Sequence, residues 1–284
     1  MIVRYMGGIG NQMWHYAFGR GVSEARQEPL MFTRDFFKLG KADGLLRSFT
    51  YCMDAWNIPE FRVAREVHNP IIHEEKFGVF QPSVYDAPPG ASFVGPWQSE
   101  KYFLNVESKI REEFALREPP CEESFRVAEE IAQAGKGSMF IHVRRGDYLY
   151  GPNPAFHGAP SLMYYQKAMD LVLEHYNGSR VFIFSDDPAW CREKFFWSNC
   201  RVVDHNPPSS EDGKTQGREH EDIWLMSLCH NAAIANSSFS WWGAWLGYTK
   251  KDRLVFAPQR WLGPNNPQEP GPDLIPERWI KLEN

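Results

Sequence analysis

The chain has no excess of positive charge and no long apolar run. Its 31 lysines and arginines are outnumbered by 36 aspartates and glutamates, and the formal net charge is −5. Broad binding to nucleic acid or to an anionic membrane surface requires a basic face, so the composition excludes both. No apolar stretch reaches the roughly 18 residues of a membrane span, and the chain opens directly on a strand-like segment. We therefore expect no signal peptide, anchor or integral membrane segment.

Paired cysteines are also lacking. The five cysteines are an odd number, they are widely spaced, and no C-x-x-C pair occurs. This spacing excludes a disulfide framework and a structural zinc site. Unpaired thiols of this kind are typical of a reducing compartment. We expect a cytoplasmic protein, with peripheral attachment at an inner membrane left open.

Several common catalytic motifs are absent from the sequence. It contains no D-x-D triplet, no G-x-S-x-G elbow, no G-x-x-x-x-G-K-[ST] loop and no His, Cys, Asp and Glu group with metal-ligand spacing. These absences disfavour hydrolases, P-loop nucleotide triphosphatases and metal-dependent enzymes. We expect no metal and no other cofactor. An enzyme without a metal must neutralise a diphosphate with arginines and main-chain N–H groups.

Aromatic residues are abundant, at 15% of the chain with eleven tryptophans. Such rings either fill a core or stack on sugars and bases, and composition does not choose between the two uses.

Strand and helix signals alternate along most of the chain. A buried strand at Ile2–Met6 leads through a glycine-rich turn into a helix at Met13–Ala25, and a short strand follows at Leu30–Phe32. Between residues 36 and 120 the pattern is weak, and it predicts only a helix near Asn105–Leu116. From Glu122 onward the alternation is regular, which predicts parallel β–α units and an α/β fold. The boundary between two lobes is predicted near residues 119–136.

The regular part of the chain predicts five strands and five helices before a proline-rich tail. The strands are Ser138–Val143, Arg180–Phe184, Arg201–Val203, Ala232–Ala235 and Leu254–Ala257; the helices are Glu122–Ala134, Ser161–Tyr176, Pro188–Trp197, His220–Cys229 and Phe239–Tyr248.

Polar clusters follow four of the predicted strands. They are Gly7–Gln12, His142–Asp147, Ser185–Asp187 and Asn236–Ser240. In open parallel sheets, ligands bind beyond the carboxyl ends of the strands. We therefore expect the functional site at these strand ends.

The cluster His142–Asp147 favours an anion site. Side chains alternate along a strand, so His142 and Arg144 are predicted on one face and Arg145 on the other. An arginine at a strand end presents a fork of donors that fits a phosphate or a carboxylate. The alternative is a structural ion pair between Arg145 and Asp147. Two arginines, a histidine and an aspartate within six residues are more polar than a strand end requires.

A second candidate anion site is the serine-rich helix start that follows Asn236. Small hydroxyl residues there leave main-chain N–H groups and the positive end of the helix dipole directed outward. Ordinary N-capping accounts for one serine, whereas the three serines Ser237, Ser238 and Ser240 favour a phosphate site. The tryptophans that follow are predicted to anchor this helix in the core.

The other two clusters are weaker signals. Asp186 and Asp187 precede a proline and fit a helix N-cap, and a carboxylate here could also accept the N1–H and N2–H of guanine. The turn Gly7–Gln12 resembles a dinucleotide-binding fingerprint, but Met13 stands where the third glycine is needed. Binding of NAD is therefore disfavoured.

Taken together, these segments resemble the α-1,2-fucosyltransferases of glycosyltransferase family 11. The resemblance rests on GGIGNQMWHYAFG (7–19), HVRRGDY (142–148), FIFSDDPAWC (182–191) and DIWLMSLCHNAAIANSSFSWWGAWL (222–246), which occur in the order typical of the family. It implies a GT-B-like fold of two facing Rossmann-type lobes, with residues 1–120 on the acceptor side and residues 121–284 binding the nucleotide sugar. It also implies a bacterial enzyme of O-antigen or similar glycans, because animal relatives carry a Golgi anchor.

The reaction implied by the resemblance is transfer of L-fucose from GDP-β-L-fucose to the 2-hydroxyl of a terminal galactoside, with inversion and without a metal. The implied partners are GDP-fucose and a galactoside-containing oligosaccharide. One departure from the family pattern is Trp14-His15, where relatives commonly carry Phe-Gln, and it bears on the acceptor side.

The resemblance also implies which residues bind the donor. Arg144 would bind the β-phosphate while Arg145 and Asp147 shape the loop, and Asp187 would hold the guanine edge. The serines would meet the phosphate at the helix start, and the residues of the first lobe would close over the fucose. The donor-binding residues so implied are Gly8, Gly10, Asn11, Arg144, Arg145, Asp187, Ser237, Ser238 and Ser240.

The candidate catalytic residues are Arg144, Asp147 and His142. Arg144 would stabilise the departing diphosphate, and either Asp147 or His142 would take the acceptor proton, unless a dissociative transition state needs no base. Two other functions stay open at this point. One is a transferase for another GDP-sugar, and the other is a non-catalytic glycan-binding protein whose tryptophans stack on sugars.

Overall fold

The computed structural model describes residues 1–39, 50–150, 157–176, 178–207, 217–247, 252–263, 266 and 270–284. Within these ranges the side chains at positions 38, 39, 147 and 150 lie outside the description. The described residues form two compact units. The first contains Met1–Pro119 together with a short segment of the tail, Pro270–Pro276, and the second begins at Pro120 and includes Glu277–Asn284.

The first unit is built on a five-stranded parallel sheet. Its strands are β1 (Ile2–Arg4), β2 (Met31–Thr33), β3 (Arg62–Ala64), β4 (Ile71–His73) and β5 (Ser92–Val94), and its helices are α1 (Ile9–Arg26), α2 (Phe36–Leu39) and α3 (Glu107–Glu113). The strand order is β3-β2-β1-β5-β4, with every neighbouring pair parallel. The central strand β1 is followed directly by α1, so the start of α1 lies at the carboxyl end of the sheet.

The second unit is built on a six-stranded parallel sheet. Its strands are β6 (Ser138–Val143), β7 (Arg180–Ser185), β8 (Cys200–Val203), β9 (Asn231–Ala233), β10 (Val255–Pro258) and β11 (Ile280–Leu282). Its helices are α4 (Glu122–Ala134), α5 (Gly146–Tyr150), α6 (Leu162–His175), α7 (Pro188–Lys194), α8 (Glu219–Leu228) and α9 (Ser238–Leu246). The order is β11-β10-β9-β6-β7-β8, again parallel throughout. The two parallel sheets confirm the predicted α/β, GT-B-like fold class.

Buried apolar side chains explain why the second sheet forms around β6. All six residues of this strand are buried, as expected for a parallel strand covered on both faces. On α9, Trp241, Trp242 and Trp245 are fully buried, which confirms that the tryptophans anchor this helix in the core. Gly243 lets α9 approach α8 closely, because a Cβ there would lie 2.6 Å from the Cβ of Met226.

Three strands of the first unit lie where the sequence predicts none. β3, β4 and β5 fall between residues 36 and 120, a region for which the only prediction was a helix near Asn105–Leu116. Each has three residues, too few for an alternating pattern to show. The exposed side chains of Arg62 and Val63 on β3 hide the signal further.

The glycine-rich segment after β1 differs from its prediction. The turn was expected to run to Gln12 with the helix beginning at Met13, but α1 begins at Ile9 and Gly8 is its N-cap. Only Gly7 adopts a left-handed conformation, with φ of 67°, which a residue with a Cβ rarely tolerates. At the other end of the chain, the proline-rich tail adds β11, which pairs with β10 and was not predicted.

Candidate functional site

The structure brings three of the four polar clusters together. β6 lies between β7 and β9 in the sheet, so the segments that follow these three strands are neighbours at one edge. The registers pair Val143 with Ser185 and Ile141 with Ala233. The fourth cluster, Gly7–Gln12, follows β1 in the first unit.

His142 joins the end of β6 to the start of α9. Its Nδ1 lies 2.9 Å from the Oγ of Ser240, and its ring packs against Phe239 with the centroids 5.3 Å apart. The Tyr165 hydroxyl donates to the main-chain oxygen of His142 at 2.9 Å. Burial and the nearby charge of Arg144 lower the pKa of His142 to about 3. The imidazole is therefore neutral at pH 7 and holds the two segments together.

Arg144 is held between a carboxylate and an aromatic ring. Its Nε lies 3.2 Å from Oδ2 of Asp186, and its guanidinium carbon is 5.7 Å from the ring centroid of Tyr148. Asp186 also accepts the main-chain N–H groups of Arg145 at 2.8 Å and Gly146 at 3.1 Å. Asp186, for which the sequence left a helix cap and a contact to guanine open, thus organises the loop that carries both arginines.

Arg145 has a different environment from its neighbour. Its Nε donates to Oδ2 of Asp187 at 3.1 Å, and its guanidinium carbon lies 4.0 Å from the ring centroid of Trp190. Oδ1 of Asp187 accepts the main-chain N–H of Trp190 at 3.1 Å, which makes Asp187 the N-cap of α7. The alternative ion pair, between Arg145 and Asp147, involves the Asp147 side chain, which lies outside the described residues. Asp187 therefore has the capping role that the sequence left open.

Asn236 fixes the loop that leads into α9. It is 2% exposed, and its Nδ2 lies within hydrogen-bond distance of three main-chain oxygens. These belong to His157 at 2.7 Å, Trp261 at 2.7 Å and Gly158 at 3.0 Å. Its Oδ1 is buried and has no hydrogen-bond partner among the described residues. One side chain thus ties two separate segments, residues 157–158 and residue 261, to the entrance of α9.

The three serines at the start of α9 have different positions. Ser237 is the N-cap, and its hydroxyl accepts the main-chain N–H of Phe239 at 3.3 Å. Ser240 contacts His142, as described above, and Ser238 is the first residue of the helix. The N–H groups of a first helical turn have no carbonyl partner within the helix. Together with the helix dipole, they make this end of α9 suited to an anion.

Tyr148 was not singled out by the sequence analysis, although it lies in the segment HVRRGDY. Its hydroxyl donates to the main-chain oxygen of Asn236 at 2.9 Å. Its ring stacks on that of His157, with centroids 4.5 Å apart and planes 8° from parallel. Because the same ring faces Arg144, Tyr148 connects the arginine loop to the start of α9.

In the first unit, the predicted donor residues lie in the first turn of α1. Gly8 is the N-cap, and Gly10 and Asn11 are the second and third helical residues. The Oδ1 of Asn11 accepts a hydrogen bond of 3.0 Å from Nε2 of Gln98, which follows β5. This contact brings together the carboxyl ends of β1 and β5.

His15, where relatives were noted to differ, has a buried position in α1. Its Nε2 lies 3.0 Å from the main-chain oxygen of Gly95, and its Nδ1 accepts the N–H of Met6 at 3.4 Å. Burial lowers the pKa of His15 to about 4. The ring is therefore neutral at pH 7 and joins α1 to the end of β5.

The described residues show neither a metal-binding group nor a membrane-spanning helix. Within them, no three His, Cys, Asp or Glu side chains are grouped so that they could hold a metal ion. No helix among those that the structure describes is both long and apolar enough to cross a bilayer.

Comparisons with known proteins give consistent results. The family model described as "Glycosyl transferase family 11" matches residues 89–269. The α-1,2-colitosyltransferase of Escherichia coli is 30% identical over an alignment that covers 100% of this chain and 99% of that protein. The galactoside 2-α-L-fucosyltransferase Sec1 of Mus musculus is 26% identical, with 99% of this chain and 73% of that protein covered.

Similarity to solved structures is lower. The crystal structure of NodZ α-1,6-fucosyltransferase from Bradyrhizobium, soaked with GDP-fucose, has 14% sequence identity and a TM-score of 0.44. The match covers 86% of this chain and 91% of that one.

Proposed function

The chain belongs to glycosyltransferase family 11, and from this premise we propose that it transfers L-fucose from GDP-β-L-fucose to the 2-hydroxyl of a terminal galactoside. Membership of the family makes it a glycosyltransferase, in place of a non-catalytic glycan-binding protein. The E. coli and mouse relatives are both named for transfer to a 2-position, which supports the choice of acceptor hydroxyl. The fine specificity for the donor and the acceptor is part of the proposal.

The observation that carries the proposal is the meeting of Arg144 and the α9 start at neighbouring strand ends. β6 and β9 pair in parallel, and the contact between His142 and Ser240 fixes the segments that follow them. A guanidinium and a helix N-terminus at one place supply the donors that a diphosphate requires. We assign the diphosphate of the nucleotide sugar to this place.

The proposed transfer is a single displacement with inversion. The acceptor oxygen forms a bond to C1 of fucose on the face opposite the phosphate. The bond from C1 to the β-phosphate oxygen breaks, and GDP leaves with the electron pair. A β-linked donor thereby gives an α-linked product. Arg144 and the N–H groups of α9 stabilise the charge that develops on GDP, and one such donor is worth about 3–4 kcal/mol, or 10²–10³ in rate.

The environment of His142 narrows the choice of the base that receives the acceptor proton. Its pKa of about 3 and its contact with Ser240 make it a poor proton acceptor at pH 7. We therefore give His142 a positioning role at the start of α9. Proton transfer is left to Asp147, or to solvent if the transition state is dissociative enough to need no base.

We assign the guanine to Asp187. Its two oxygens already accept from Trp190 and Arg145, but each carboxylate oxygen has a second lone pair. The N1–H and N2–H of guanine can therefore add to these contacts. Arg145 orients the carboxylate through its ion pair and its packing on Trp190.

The test is release of GDP from GDP-fucose in the presence of lactose and EDTA. We expect the wild type to turn over without a divalent metal, and we expect Arg144→Ala to lower kcat by about 10²–10³ with an unchanged unfolding midpoint. The matched control is Arg126→Ala. That side chain is 59% exposed on α4 and pairs with Glu122 and Glu123, so its loss leaves turnover at the wild-type rate.

Two results would contradict the assignment. Turnover of Arg144→Ala at the wild-type rate would show that Arg144 does not bind the phosphate. Failure of the wild type to use GDP-fucose, with EDTA or without it, would remove the proposed donor.

GDP-colitose is a second candidate donor, because a relative that aligns along the full chain is named as an α-1,2-colitosyltransferase. Colitose is fucose without its 3-hydroxyl. A site that hydrogen-bonds the 3-hydroxyl of fucose rejects GDP-colitose, which lacks this group, by about 10⁴–10⁵. An apolar site that fits colitose rejects the added hydroxyl of GDP-fucose by only about 10². We expect kcat/KM to favour GDP-fucose by more than about 10². A preference for GDP-colitose would show that the donor is GDP-colitose, while the assignment of the protein as a glycosyltransferase would stand.

A further inference from the structure

An arginine that the proposed reaction does not use lies at the carboxyl edge of the sheet in the first unit. Arg34 directly follows β2, and Tyr5 directly follows β1, the parallel neighbour of β2. The main-chain N–H of Tyr5 donates to the oxygen of Thr33 at 3.0 Å, which extends the pairing beyond the strands. Ligands of open parallel sheets bind at this edge.

The guanidinium of Arg34 is held by an aromatic ring. Its carbon lies 3.5 Å from the ring centroid of Tyr51. Tyr51 is half-buried and packs against the buried ring of Tyr5, with the centroids 5.5 Å apart and the planes at 66°. Stacking on a ring fixes a guanidinium and leaves the N–H donors of its planar fork for another partner. Arg34 is therefore held in place without the use of a carboxylate.

The neighbouring acid, Asp35, is engaged by a different arginine. Its carboxylate accepts Nε of Arg4 at 2.9 Å and Nη2 of the same side chain at 2.6 Å. Among the described residues, no carboxylate forms an ion pair with Arg34, whereas Arg20 and Arg26, which are half-buried as well, each pair with a glutamate. A half-buried guanidinium has lost part of its hydration, and an anionic ligand would replace it.

The ring beneath Arg34 is tied to the start of α1 by Gln12. This glutamine is fully buried. Its Nε2 donates to the main-chain oxygen of Thr50 at 2.9 Å, and its Oε1 accepts the main-chain N–H of Cys52 at 2.9 Å. The two contacts hold the chain on either side of Tyr51. One buried amide thus fixes the position of the ring on which Arg34 stacks.

This position beside α1 favours a contact with the acceptor over one with the donor phosphates. Gln12 directly follows Gly10 and Asn11, which are expected to contact the fucose of the donor. The acceptor hydroxyl must approach C1 of that fucose, so the rest of the acceptor extends from the same place. The diphosphate is already assigned to Arg144 and the start of α9. A negative group that meets Arg34 would therefore belong to the acceptor.

We propose that Arg34, stacked on Tyr51, binds an anionic group of the acceptor, a carboxylate or a phosphate on the sugar next to the terminal galactose. Two N–H groups of a guanidinium match two oxygens of either group. The 2-hydroxyl of galactose remains the group that attacks C1. This inference rests on the proposed function, since it takes the acceptor to be a galactoside and the first unit to be its binding side.

The functional test compares acceptors that differ in one charged group. Lactobionate and lactitol both carry a terminal β-galactose on an open-chain residue, and only lactobionate has a carboxylate. Lactose 1-phosphate and lactose form the corresponding pair for a phosphate. We expect the wild type to show about a tenfold or higher kcat/KM for the anionic member of at least one pair, mainly through KM. The pair that shows the preference identifies the anionic group.

The variant that tests the role of the arginine is Arg34→Gln. We expect it to lower kcat/KM for the preferred anionic acceptor about tenfold or more and to keep the wild-type rate with the neutral acceptor, which also shows that the protein is folded. The matched control is Lys109→Gln, which removes one positive charge from a side chain that is 51% exposed in the same unit and pairs with Glu24. This control keeps the wild-type preference. The proposal is overturned if the wild type prefers neither anionic acceptor, or if Arg34→Gln keeps the preference.

Binding of the acceptors without nucleotide separates this inference from the proposed reaction. The dissociation constants of both pairs are measured by NMR titration of the wild type and of Arg34→Gln. We expect the wild type to bind the anionic member of a pair about tenfold more tightly, and Arg34→Gln to bind both members equally. Equal affinities within both pairs for the wild type would contradict the inference. If the wild type fails to use GDP-fucose, the proposed function fails, and these affinities still decide whether Arg34 binds an anionic galactoside.

Discussion

At the scale of single residues, the two adjacent arginines Arg144 and Arg145 have different surroundings. Arg144 meets Asp186 and Arg145 meets Asp187, because β6 and β7 run in parallel with Val143 opposite Ser185. The sequence predicts an anion site from the residue types alone. It does not predict these partners, since the register between two strands far apart in the chain is set by packing of the whole sheet.

The low pKa of His142 predicts a pH effect on stability. The folded-state pKa of about 3 lies below the ordinary value of 6.5, so the unfolded chain binds a proton that the native chain does not. The corresponding stability is present above pH 6.5 and is lost as the pH falls toward 3, with a slope of up to about 1.4 kcal/mol per pH unit. His142→Asn, which keeps a polar group near Ser240, removes this contribution.

The measurement is urea unfolding of both proteins at pH 6.5, 5.5 and 4.5. We expect the free energy of unfolding to fall more steeply in the wild type, while His15 and the acidic residues contribute equally to both proteins. Parallel slopes would mean that the imidazole of His142 is protonated as easily in the native state as in the unfolded one.

At the scale of secondary-structure elements, long periodic segments are predictable and short ones are not. α4 and β6 have the predicted bounds, Glu122–Ala134 and Ser138–Val143. The three-residue strands β3 to β5 leave no period in the sequence, and only pairing with neighbours defines them. For the same reason the contact of Gln98, four residues after β5, with Asn11 could not be found from sequence.

Tyr148 links two elements of the site, and its hydroxyl provides a test of that link. Tyr148→Phe keeps the ring beside Arg144 and His157 but removes the hydrogen bond to the Asn236 oxygen. A hydrogen bond of this kind contributes about 0.5–1.5 kcal/mol. We therefore expect the dissociation constant for GDP, measured by calorimetry, to rise about two- to tenfold.

The matched control is Tyr176→Phe, which removes a similar bond from the same unit. The Tyr176 hydroxyl donates to the main-chain oxygen of Asp252 at 2.7 Å, away from the three strand ends. Its loss leaves GDP binding unchanged. Equal GDP affinities in Tyr148→Phe and the wild type would show that this link does not position the phosphate-binding groups.

At the scale of the whole molecule, local sequence patterns do not show which unit each part of the C-terminal tail joins. Pro270–Pro276 joins the first unit, where Asp273 accepts the main-chain N–H of Phe80 at 2.8 Å and pairs with Lys101. Glu277–Asn284, with β11, joins the second unit. Contacts of this sequence separation leave no local signal. The assignment of acceptor and donor roles to the two lobes stays a prediction.

The proposed reaction is tested most directly by the chemical structure of its product. GDP-fucose and lactose are incubated with the wild-type protein, and the purified trisaccharide is analysed by NMR. We expect one α-linked fucose whose anomeric proton correlates with C2 of galactose, and one GDP released for each fucose transferred. A β-linked fucose, a linkage to another hydroxyl, or intact GDP-fucose without product would contradict the proposal.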